Sequence, residues 1–205
     1  GLVRSSGNLG WKEVPLGRLL SRRLGVPVRL ENDANCAAWG EQWCGAARGC
    51  DDVILFTLGT GVGGALILGG RLYSGASGWA GELGHIRVMP DGPPCSCGLS
   101  GCLETVASAA AMGRAGQEAV AAGRSPAVAR IAAAQGGQVD ARAVITAARE
   151  GDAAAAEILR RAGEYLGQAS AMLISALNPA LIVVGGGGAY AGDFLLEPMR
   201  RVIAE

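Results

Sequence analysis

The sequence has a single histidine and no net charge, and both facts limit the classes of function that the protein can have. Lys and Arg number 18 together, as do Asp and Glu, so no charge excess exists to attract nucleic acid or an anionic membrane surface. We therefore expect neither partner. The most apolar stretch, from residue 169 to 184, is interrupted by Asn178 and Pro179 and runs into four glycines. This interruption argues against a membrane-spanning helix.

The chain also lacks the features of an exported protein. Residues 1–12, GLVRSSGNLGWK, contain no apolar signal-peptide core. We therefore predict a cytoplasmic location, where clustered cysteines are better interpreted as metal ligands than as disulfides. The sequence starts without an initiator methionine and stops inside a helical apolar pattern that includes Leu195 and Met199. We expect it to be a fragment of a longer protein.

Hydrophobic periodicity predicts an α/β order of elements. After a polar loop from Asn8 to Trp11, we predict strands at residues 26–32, 53–58, 65–68, 71–73 and 180–184. We predict helices at residues 15–24, 34–43 and 152–177, and another that Asp193 caps. The alanine-rich segment 103–177 should be helical throughout, since alanine has the highest helix propensity.

Two glycine-rich segments follow predicted strands. In residues 57–64, TLGTGVGG, the glycines allow close backbone approach, and successive N–H groups can surround a phosphate. An ordinary hairpin turn explains the segment equally well, because it matches neither the Walker pattern nor the dinucleotide fingerprint. The four glycines at 185–188 precede a helix, which suits a nucleotide lying over the backbone or simply a flexible connection.

Asp33 lies in the motif ENDAN, where a predicted strand gives way to a helix. Active-site groups commonly project from this edge of an α/β sheet. The Asp33 carboxylate could act as general base toward a substrate hydroxyl, with Asn32 and Asn35 offering amide hydrogen bonds. The competing interpretation is a helix N-cap, a role that aspartate favours. Both roles remain open at this stage.

The single histidine, His85, precedes a cysteine cluster in the pattern H-x9-C-x-C-x4-C. Cys95, Cys97 and Cys102 complete a set of four ligands for a closed, structural Zn²⁺ site. The C-x-C spacing is tighter than in common zinc fingers, so a chance grouping of free thiols is the alternative. Glu82 precedes the histidine and Glu104 follows the last cysteine, so the metal would hold a binding site in shape.

The other three cysteines have no histidine near them. They are Cys36, Cys44 and Cys50, which lie on or near the helix predicted after Asp33. A free cysteine behaves as a small hydrophobic residue, and we interpret these three as packing residues.

Five motifs together resemble the ROK family of bacterial sugar kinases and sugar-responsive repressors, most closely its glucokinases. They are ENDAN at 31–35, TLGTGVGG at 57–64, GWAGELGH at 78–85, CSCGLSGCLE at 95–104 and NPALIVVGGGG at 178–188. The resemblance extends over nearly the whole chain. It implies a two-lobed actin-like ATPase fold, also called ribonuclease H-like, with a nearly complete large lobe and a truncated small lobe. Residues 1–37 would be the remnant of the small lobe, and residues 38–205 the large lobe with a zinc loop and a helical insertion.

The resemblance also implies a role for each motif. Asp33 would take the proton from the sugar 6-hydroxyl as that hydroxyl attacks the γ-phosphate of ATP, with Mg²⁺ as the accompanying cation. The implied sugar ligands are Asn32, Asp33, Glu82, His85 and Glu104. The implied phosphate contacts are Gly59, Thr60, Gly61 and Gly63, and the implied adenosine contacts are Gly185, Gly186, Gly187 and Gly188. His85, Cys95, Cys97 and Cys102 would hold structural Zn²⁺, and the protein would be a homodimer or homotetramer.

Two functions follow from this resemblance, and a third possibility is a degenerate copy that only folds. An ATP-dependent hexose kinase, most simply a glucokinase, is favoured because Asp33 and the glycines at 59–64 are present. The alternative is a sugar-sensing repressor with an amino-terminal DNA-binding segment. Family kinases also open with an Asp-Gly-Gly-Thr type phosphate loop that this sequence lacks. We therefore expect this fragment to be inactive by itself.

Overall fold

The computed structural model describes residues 1–6 and 9–205, which form mixed α/β structure. The strands are β1 Val3–Ser6, β2 Trp11–Val14, β3 Val53–Leu58, β4 Val62–Leu68, β5 Arg71–Leu72 and β6 Leu181–Gly185. The helices are α1 Leu16–Leu24, α2 Asp33–Cys44, α3 Leu103–Ala107, α4 Ala109–Ala121, α5 Pro126–Ala134, α6 Ala141–Arg149, α7 Ala153–Leu177 and α8 Asp193–Ala204. Short 3₁₀ turns lie at Leu83–His85 and Gly187–Ala191. No helix of the described ranges is long and apolar enough to cross a membrane.

The main sheet has four strands in the order β5-β4-β3-β6. Strands β3 and β4 form an antiparallel hairpin that closes at the pair Leu58 and Val62. Strand β6 runs parallel to β3, with Thr57 opposite Gly185. Because parallel strands end at the same sheet edge, both glycine-rich segments lie side by side there.

Both faces of the sheet are buried at β3, which explains why nearly all residues of this strand are apolar. Ile54, Phe56 and Leu58 face the large core formed with helices α3 to α8. Val53 and Leu55 face the opposite side, where α2 covers a smaller core. The sheet edge with the glycines therefore has helices packed on both sides.

The long helix α7 confirms the prediction closely. Asp152 caps it, since its Oδ1 accepts a hydrogen bond from the Ala155 N–H at 2.8 Å. Asn178 ends it with φ +45°, a left-handed conformation that asparagine tolerates. Leu173 and Leu177, near its carboxyl end, are only half-buried.

Three predicted elements are wrong or shifted. Residues 26–32 form no strand in the described structure, because β1 and β2 pair only with each other and the main sheet adds no strand beyond β5 and β6. The second hairpin strand begins at Val62 rather than at residue 65, because Gly63 and Gly64 still pair with β3. Helix α8 does begin at Asp193, but Gly192 occupies the cap position and no side chain caps the helix.

Other predictions need correction or fall outside the description. Asn8, in the predicted polar loop, lies outside the described residues, and Trp11 already belongs to β2. The predicted boundary between residues 37 and 38 lies within α2, and the division into two lobes stays a prediction. The packing role is wrong for Cys36 and Cys44, which are exposed because they lie on the outer side of α2, whereas Cys50 packs against the smaller core.

Candidate active site

The turn between β3 and β4 is wedged between two helices. Within the turn, the Gly59 N–H donates to the Gly61 carbonyl at 2.9 Å. The Gly59 carbonyl accepts from the Ala109 N–H, also at 2.9 Å, which fixes the turn to the start of α4. On the other side, a Cβ at Gly63 would lie only 3.2 Å from the Ala34 Cβ of α2. These contacts hold the turn in one position between α2 and α4.

Asn32, not Asp33, caps helix α2. The Asn32 Oδ1 accepts from the Ala34 N–H at 2.8 Å and from the Asn35 N–H at 3.2 Å. The Asp33 carboxylate is exposed at the first helical position, and its Oδ1 accepts from the Ala34 N–H at 2.9 Å. The helix N-terminus stabilises its negative charge. The capping interpretation of Asp33 is therefore wrong, and Asp33 is exposed next to Ala34, the residue of α2 that lies close to Gly63.

The side-chain amides of Asn32 and Asn35, near Asp33, already form hydrogen bonds within the protein. Asn35 is buried, and its Nδ2 donates to the Glu31 Oε1 at 2.8 Å, so it is not available to a substrate. The Asn32 Oδ1 serves the helix cap, which leaves the Nδ2 group as the part that can donate to a ligand.

Glu104 joins the glycine turn to the cysteine cluster. Its Oε2 accepts from the Val62 N–H at 3.3 Å and lies where a side chain on Gly61 would have to be. Its Oε1 lies 3.8 Å from the Cys95 Sγ. A residue with a Cβ at position 61 would displace this carboxylate, so glycine is required there for close approach.

The four predicted zinc ligands are brought together. The ligand atoms of His85, Cys95, Cys97 and Cys102 all lie within 4.8 Å of one another. The Cys95 Sγ is 3.5 Å from the His85 Nδ1, and the Cys97 Sγ is 3.6 Å from the Cys102 Sγ. A tetrahedron with Zn–S of about 2.3 Å and Zn–N of about 2.0 Å has N–S edges of about 3.5 Å and S–S edges of about 3.8 Å. The geometry is compatible with structural zinc.

The sheet and helix α3 hold this cluster in position. His85 ends the 3₁₀ turn, whose Gly84 packs directly on the Val62 backbone of β4. Cys102 immediately precedes α3, and the Leu103 N–H donates to the Ile86 carbonyl at 2.8 Å. The same helix carries Glu104, so its start fixes both Cys102 and this carboxylate.

The thiols of the cluster differ in acidity. Burial raises the pKa of Cys102 to about 12, whereas a hydrogen bond from the Leu99 backbone lowers the pKa of Cys97. Without a metal the Cys102 thiol therefore keeps its proton at neutral pH. A bound Zn²⁺ has to displace that proton, since only the thiolate is a ligand.

A cavity of about 660 Å³ lies between the two glycine-rich segments. Gly59 and Thr60 line one side, Gly187 and Tyr190 line the other, and helices α4 and α6 form the wall. The Arg149 Nη2 donates to the Tyr190 carbonyl at 2.6 Å, which ties α6 to the second glycine segment. This volume is in the range of small-molecule sites.

Gly186 shows why glycine is needed in the second segment. Its φ is +81°, and a Cβ there would lie 2.7 Å from the Leu58 carbonyl oxygen. Close packing on the end of β3 thus requires glycine at this position. Gly187, the next residue, is the member of the four that lines the cavity.

A second cavity, of about 680 Å³, lies on the other side of the glycine turn. It is lined by Gly61, the cysteine loop, Glu104 and Ser108. Thr60 and Arg114 line both cavities. The Arg114 Nη2 donates to the Thr105 carbonyl at 2.8 Å, which holds the guanidinium near the boundary between them.

Sequence analysis did not find Arg114, Arg149 or Tyr190. None lies in a recognisable motif, because the cavity wall arises only when α4 and α6 pack together. The structure also keeps some predicted residues apart. In the part of the chain that is described, neither Asp33 nor Glu82 hydrogen-bonds to Glu104 or His85, and Glu82 is exposed.

Comparison with known proteins agrees with these features. The sequence model of the ROK family matches residues 1–205, the whole chain. The chain belongs to the ROK family. It is 44% identical to a glucokinase of Halalkalibacterium halodurans, over 98% of this chain and 61% of that protein.

Two solved structures of the family are also similar to this chain. A ROK family glucokinase from Streptomyces griseus, in complex with glucose and AMPPNP, matches with a TM-score of 0.87 and 40% identity, over 98% of this chain and 65% of that one. A ROK family transcriptional regulator, a homologue of the E. coli MLC protein, matches with a TM-score of 0.90 and 32% identity, over all of this chain and 50% of that one. These matches confirm the predicted actin-like α/β fold. The chain spans less than two thirds of the length of these relatives.

Proposed function

We propose that this protein is an ATP-dependent hexose kinase that phosphorylates the 6-hydroxyl of glucose. One observation carries the proposal. The glycine turn contacts α2 beside Asp33, contacts Glu104 and also lines the 660 Å³ cavity. A phosphate held by this turn would have a candidate base on one side and a nucleotide cavity on the other, which is the arrangement that phosphoryl transfer needs.

The sugar would lie against the exposed polar groups near the turn. We assign Asp33 as the general base that accepts the proton of the 6-hydroxyl, because its carboxylate is exposed at the start of α2. Hydrogen bonds to the sugar hydroxyls would come from Asn32, Asp33, Glu82, His85 and Glu104. Carboxylates and amides suit this task because each hydroxyl both donates and accepts.

The nucleotide would occupy the 660 Å³ cavity between the two glycine-rich segments. Its phosphates would meet Gly59, Thr60, Gly61 and Gly63, and its adenosine would lie along Gly185, Gly186, Gly187 and Gly188. Mg²⁺ bound with the nucleotide would neutralise part of the phosphate charge. Arg114 lines both cavities, so we also assign it a contact with the phosphate that is being transferred.

The zinc proposed for the cysteine cluster would be structural. His85, Cys95, Cys97 and Cys102 would fill four tetrahedral positions and leave none open for substrate. Glu104 lies beside Cys95 and follows Cys102 on the same helix start, so a bound zinc would restrain this carboxylate as well as the His85 ring.

We retain the division into a small-lobe remnant, residues 1–37, and a large lobe, residues 38–205, that carries the zinc loop and the helical insertion. In its support, the β1–β2 pair forms a sheet separate from the main one. A cytoplasmic location also remains a prediction. It rests on the interpretation of the clustered cysteines Cys95, Cys97 and Cys102 as metal ligands rather than as disulfide partners.

A sugar-responsive repressor is the second candidate. The similarity to the transcriptional regulator, with a TM-score of 0.90, favours it. The two candidates differ in turnover, because a repressor needs to bind sugar and DNA but not to transfer phosphate.

The test uses a form of the protein extended to the full length of its ROK relatives, called the extended form below. Glucose, ATP and Mg²⁺ are added, and glucose 6-phosphate is measured by a coupled dehydrogenase assay. Turnover that Asp33→Asn abolishes would support the kinase. Sugar binding without turnover, together with sugar-dependent DNA binding, would establish the repressor instead.

A further inference from the structure

A third cavity, of about 290 Å³, is lined mostly by residues of helices α4 and α7. Met89 and Pro93, which precede the cysteine cluster, complete its lining. In the described part of the chain, no residue of the two glycine-rich segments lines it, and Arg114 is its only residue with a role in the proposed function. We call it the helix cavity. Its volume is close to the lower end of the range for small-molecule sites, so its ligand would be smaller than a nucleotide.

The helix cavity exists because both helices carry alanine along its lining. Ala111 and Ala115 of α4 and Ala154 of α7 line it. Their side chains are too short to fill the space, although protein interiors are otherwise close-packed. Met112 and Ile158 also line it and pack in the large core, so part of the lining is apolar and fixed. The cavity therefore has a rigid apolar part against which the carbon skeleton of a ligand can lie.

Three arginines line the helix cavity, namely Arg114, Arg124 and Arg161. They come from α4, from the loop after it and from α7, so the tertiary structure brings them together. Within residues 1–6 and 9–205, none of the ion pairs includes any of the three. A guanidinium group can bind a phosphate through two parallel N–H bonds. Three arginines without a paired carboxylate around one cavity therefore fit a phosphate group.

The two glutamates of the helix cavity differ in their availability. Glu157 is bound to Arg160, whose Nε and Nη2 donate to its two carboxylate oxygens at 2.6 Å each. These hydrogen bonds lower the pKa of Glu157, so it remains ionised and paired. Glu118 is exposed one helical turn after Arg114, and its carboxylate can accept a hydrogen bond from a ligand hydroxyl. The lining therefore suits a phosphate monoester that carries hydroxyl groups.

The helix cavity shares part of its wall with the candidate active site. Pro93, Thr105 and Arg114 line both the helix cavity and the 680 Å³ cavity. Arg114 also lines the 660 Å³ cavity, and its Nη2 donates to the Thr105 carbonyl at 2.8 Å. A phosphate in the helix cavity would therefore compete with the active site for the Arg114 guanidinium.

We infer that the helix cavity binds a small phosphate monoester that carries hydroxyl groups, with Arg124 and Arg161 holding its phosphate. Binding there draws the Arg114 guanidinium away from the phosphate that is being transferred, so the ligand lowers turnover. The binding itself does not depend on the proposed kinase activity, whereas the effect on turnover rests on that proposed function.

Binding is tested with glycerol 3-phosphate, which is titrated into the 205-residue chain by calorimetry at constant ionic strength. Wild type should bind one equivalent with a Kd below about 1 mM. The double variant Arg124→Met, Arg161→Met should raise that Kd at least about tenfold, because it loses charge-assisted hydrogen bonds. Arg142→Met is the matched control, since Arg142 lines the 660 Å³ cavity and not the helix cavity, and it should bind like wild type.

Two further measurements keep the binding test decisive. The circular dichroism and melting curve of the double variant should match wild type, because Arg124 and Arg161 are both exposed. Succinate, a dianion without phosphate, should bind at least about tenfold more weakly than glycerol 3-phosphate if the site recognises phosphate. The inference is overturned by an absence of binding to wild type, by unchanged binding to the double variant, by loss of binding in Arg142→Met, or by equal binding of succinate.

The effect on turnover is measured in the extended form at saturating ATP and glucose. Glycerol 3-phosphate should lower kcat of wild type about fivefold or more and should leave kcat of the double variant unchanged. Without glycerol 3-phosphate, the double variant should turn over like wild type, since neither Arg124 nor Arg161 lines the two active-site cavities. Binding to wild type with no change in kcat would overturn the regulatory role. An extended form without any turnover would instead refute the proposed kinase, and calorimetry would still decide whether the helix cavity is a binding site.

Discussion

The Glu104 Oε2 accepts a hydrogen bond from the Val62 N–H at 3.3 Å, although the two residues are 42 positions apart in sequence. Val62 begins β4 directly after the glycine turn, and Glu104 lies in the first turn of α3 directly after Cys102. This contact links the candidate phosphate turn to the cysteine cluster. A change in the cysteine loop should therefore reach the glycine turn through a single carboxylate.

Replacing Glu104 should separate its structural role from its binding role. Glu104→Gln keeps an oxygen that can accept from Val62, so its free energy of unfolding should stay within about 0.5 kcal/mol of wild type. Glu104→Ala should lose about 1 kcal/mol, the net value of a hydrogen bond. Both should weaken glucose binding in the extended form, measured by calorimetry. Equal stability of the two variants would contradict the importance of the contact with Val62.

Asp33→Asn should reduce kcat of the extended form by about 10² to 10⁴ and change glucose affinity little, because it removes a base but keeps the shape. Its stability should be nearly unchanged, since Asn32 and not Asp33 caps α2. Asn32→Ala is the comparison and should cost about 1 kcal/mol of unfolding free energy. Near-normal turnover of Asp33→Asn would remove Asp33 as the base.

Cys97→Ser should abolish stoichiometric zinc and lower the melting temperature, because three remaining ligands hold the ion less tightly. Metal content is measured by mass spectrometry, and chelation of wild type should reproduce the lower melting temperature. Cys44→Ser is the matched control, since Cys44 is an exposed thiol outside the cluster. Purified wild type without zinc would refute the assignment of the cluster.

Arg114→Met should lower kcat of the extended form by about 10² if the guanidinium stabilises the transferred phosphate. The KM for glucose should change little, and Arg114→Lys should restore part of the rate. Arg130→Met is the control, because Arg130 pairs with Glu150 on the surface. If Arg114→Met and Arg114→Lys are both less stable than wild type but keep its kcat, the role of Arg114 is only the structural hydrogen bond to the Thr105 carbonyl.

Much of the site could be predicted from sequence because its parts are local. The cysteine cluster lies within a short loop, and its tight spacing already restricts how far the sulfurs can separate. The strand residues 53–58 and the helix up to Leu177 follow from apolar runs and periodicity. By contrast, residues 26–32 have a strand-like pattern but form no strand, because a strand needs a hydrogen-bonded neighbour. Local pattern does not contain that information.

The sequence by itself determined which chemical groups are available: a carboxylate at Asp33, a set of candidate metal ligands around His85, and glycines in two turns that follow strands. Only the tertiary structure decided which of these meet. The parallel pairing of β3 with β6 put the two glycine segments at one edge, and the packing of α3 brought Glu104 to Val62. The tertiary structure also made Asn32 the cap of α2 and left the Trp43 side chain exposed to solvent. These outcomes depend on contacts between distant residues, whose geometry is set by burial of the shared core rather than by any local pattern.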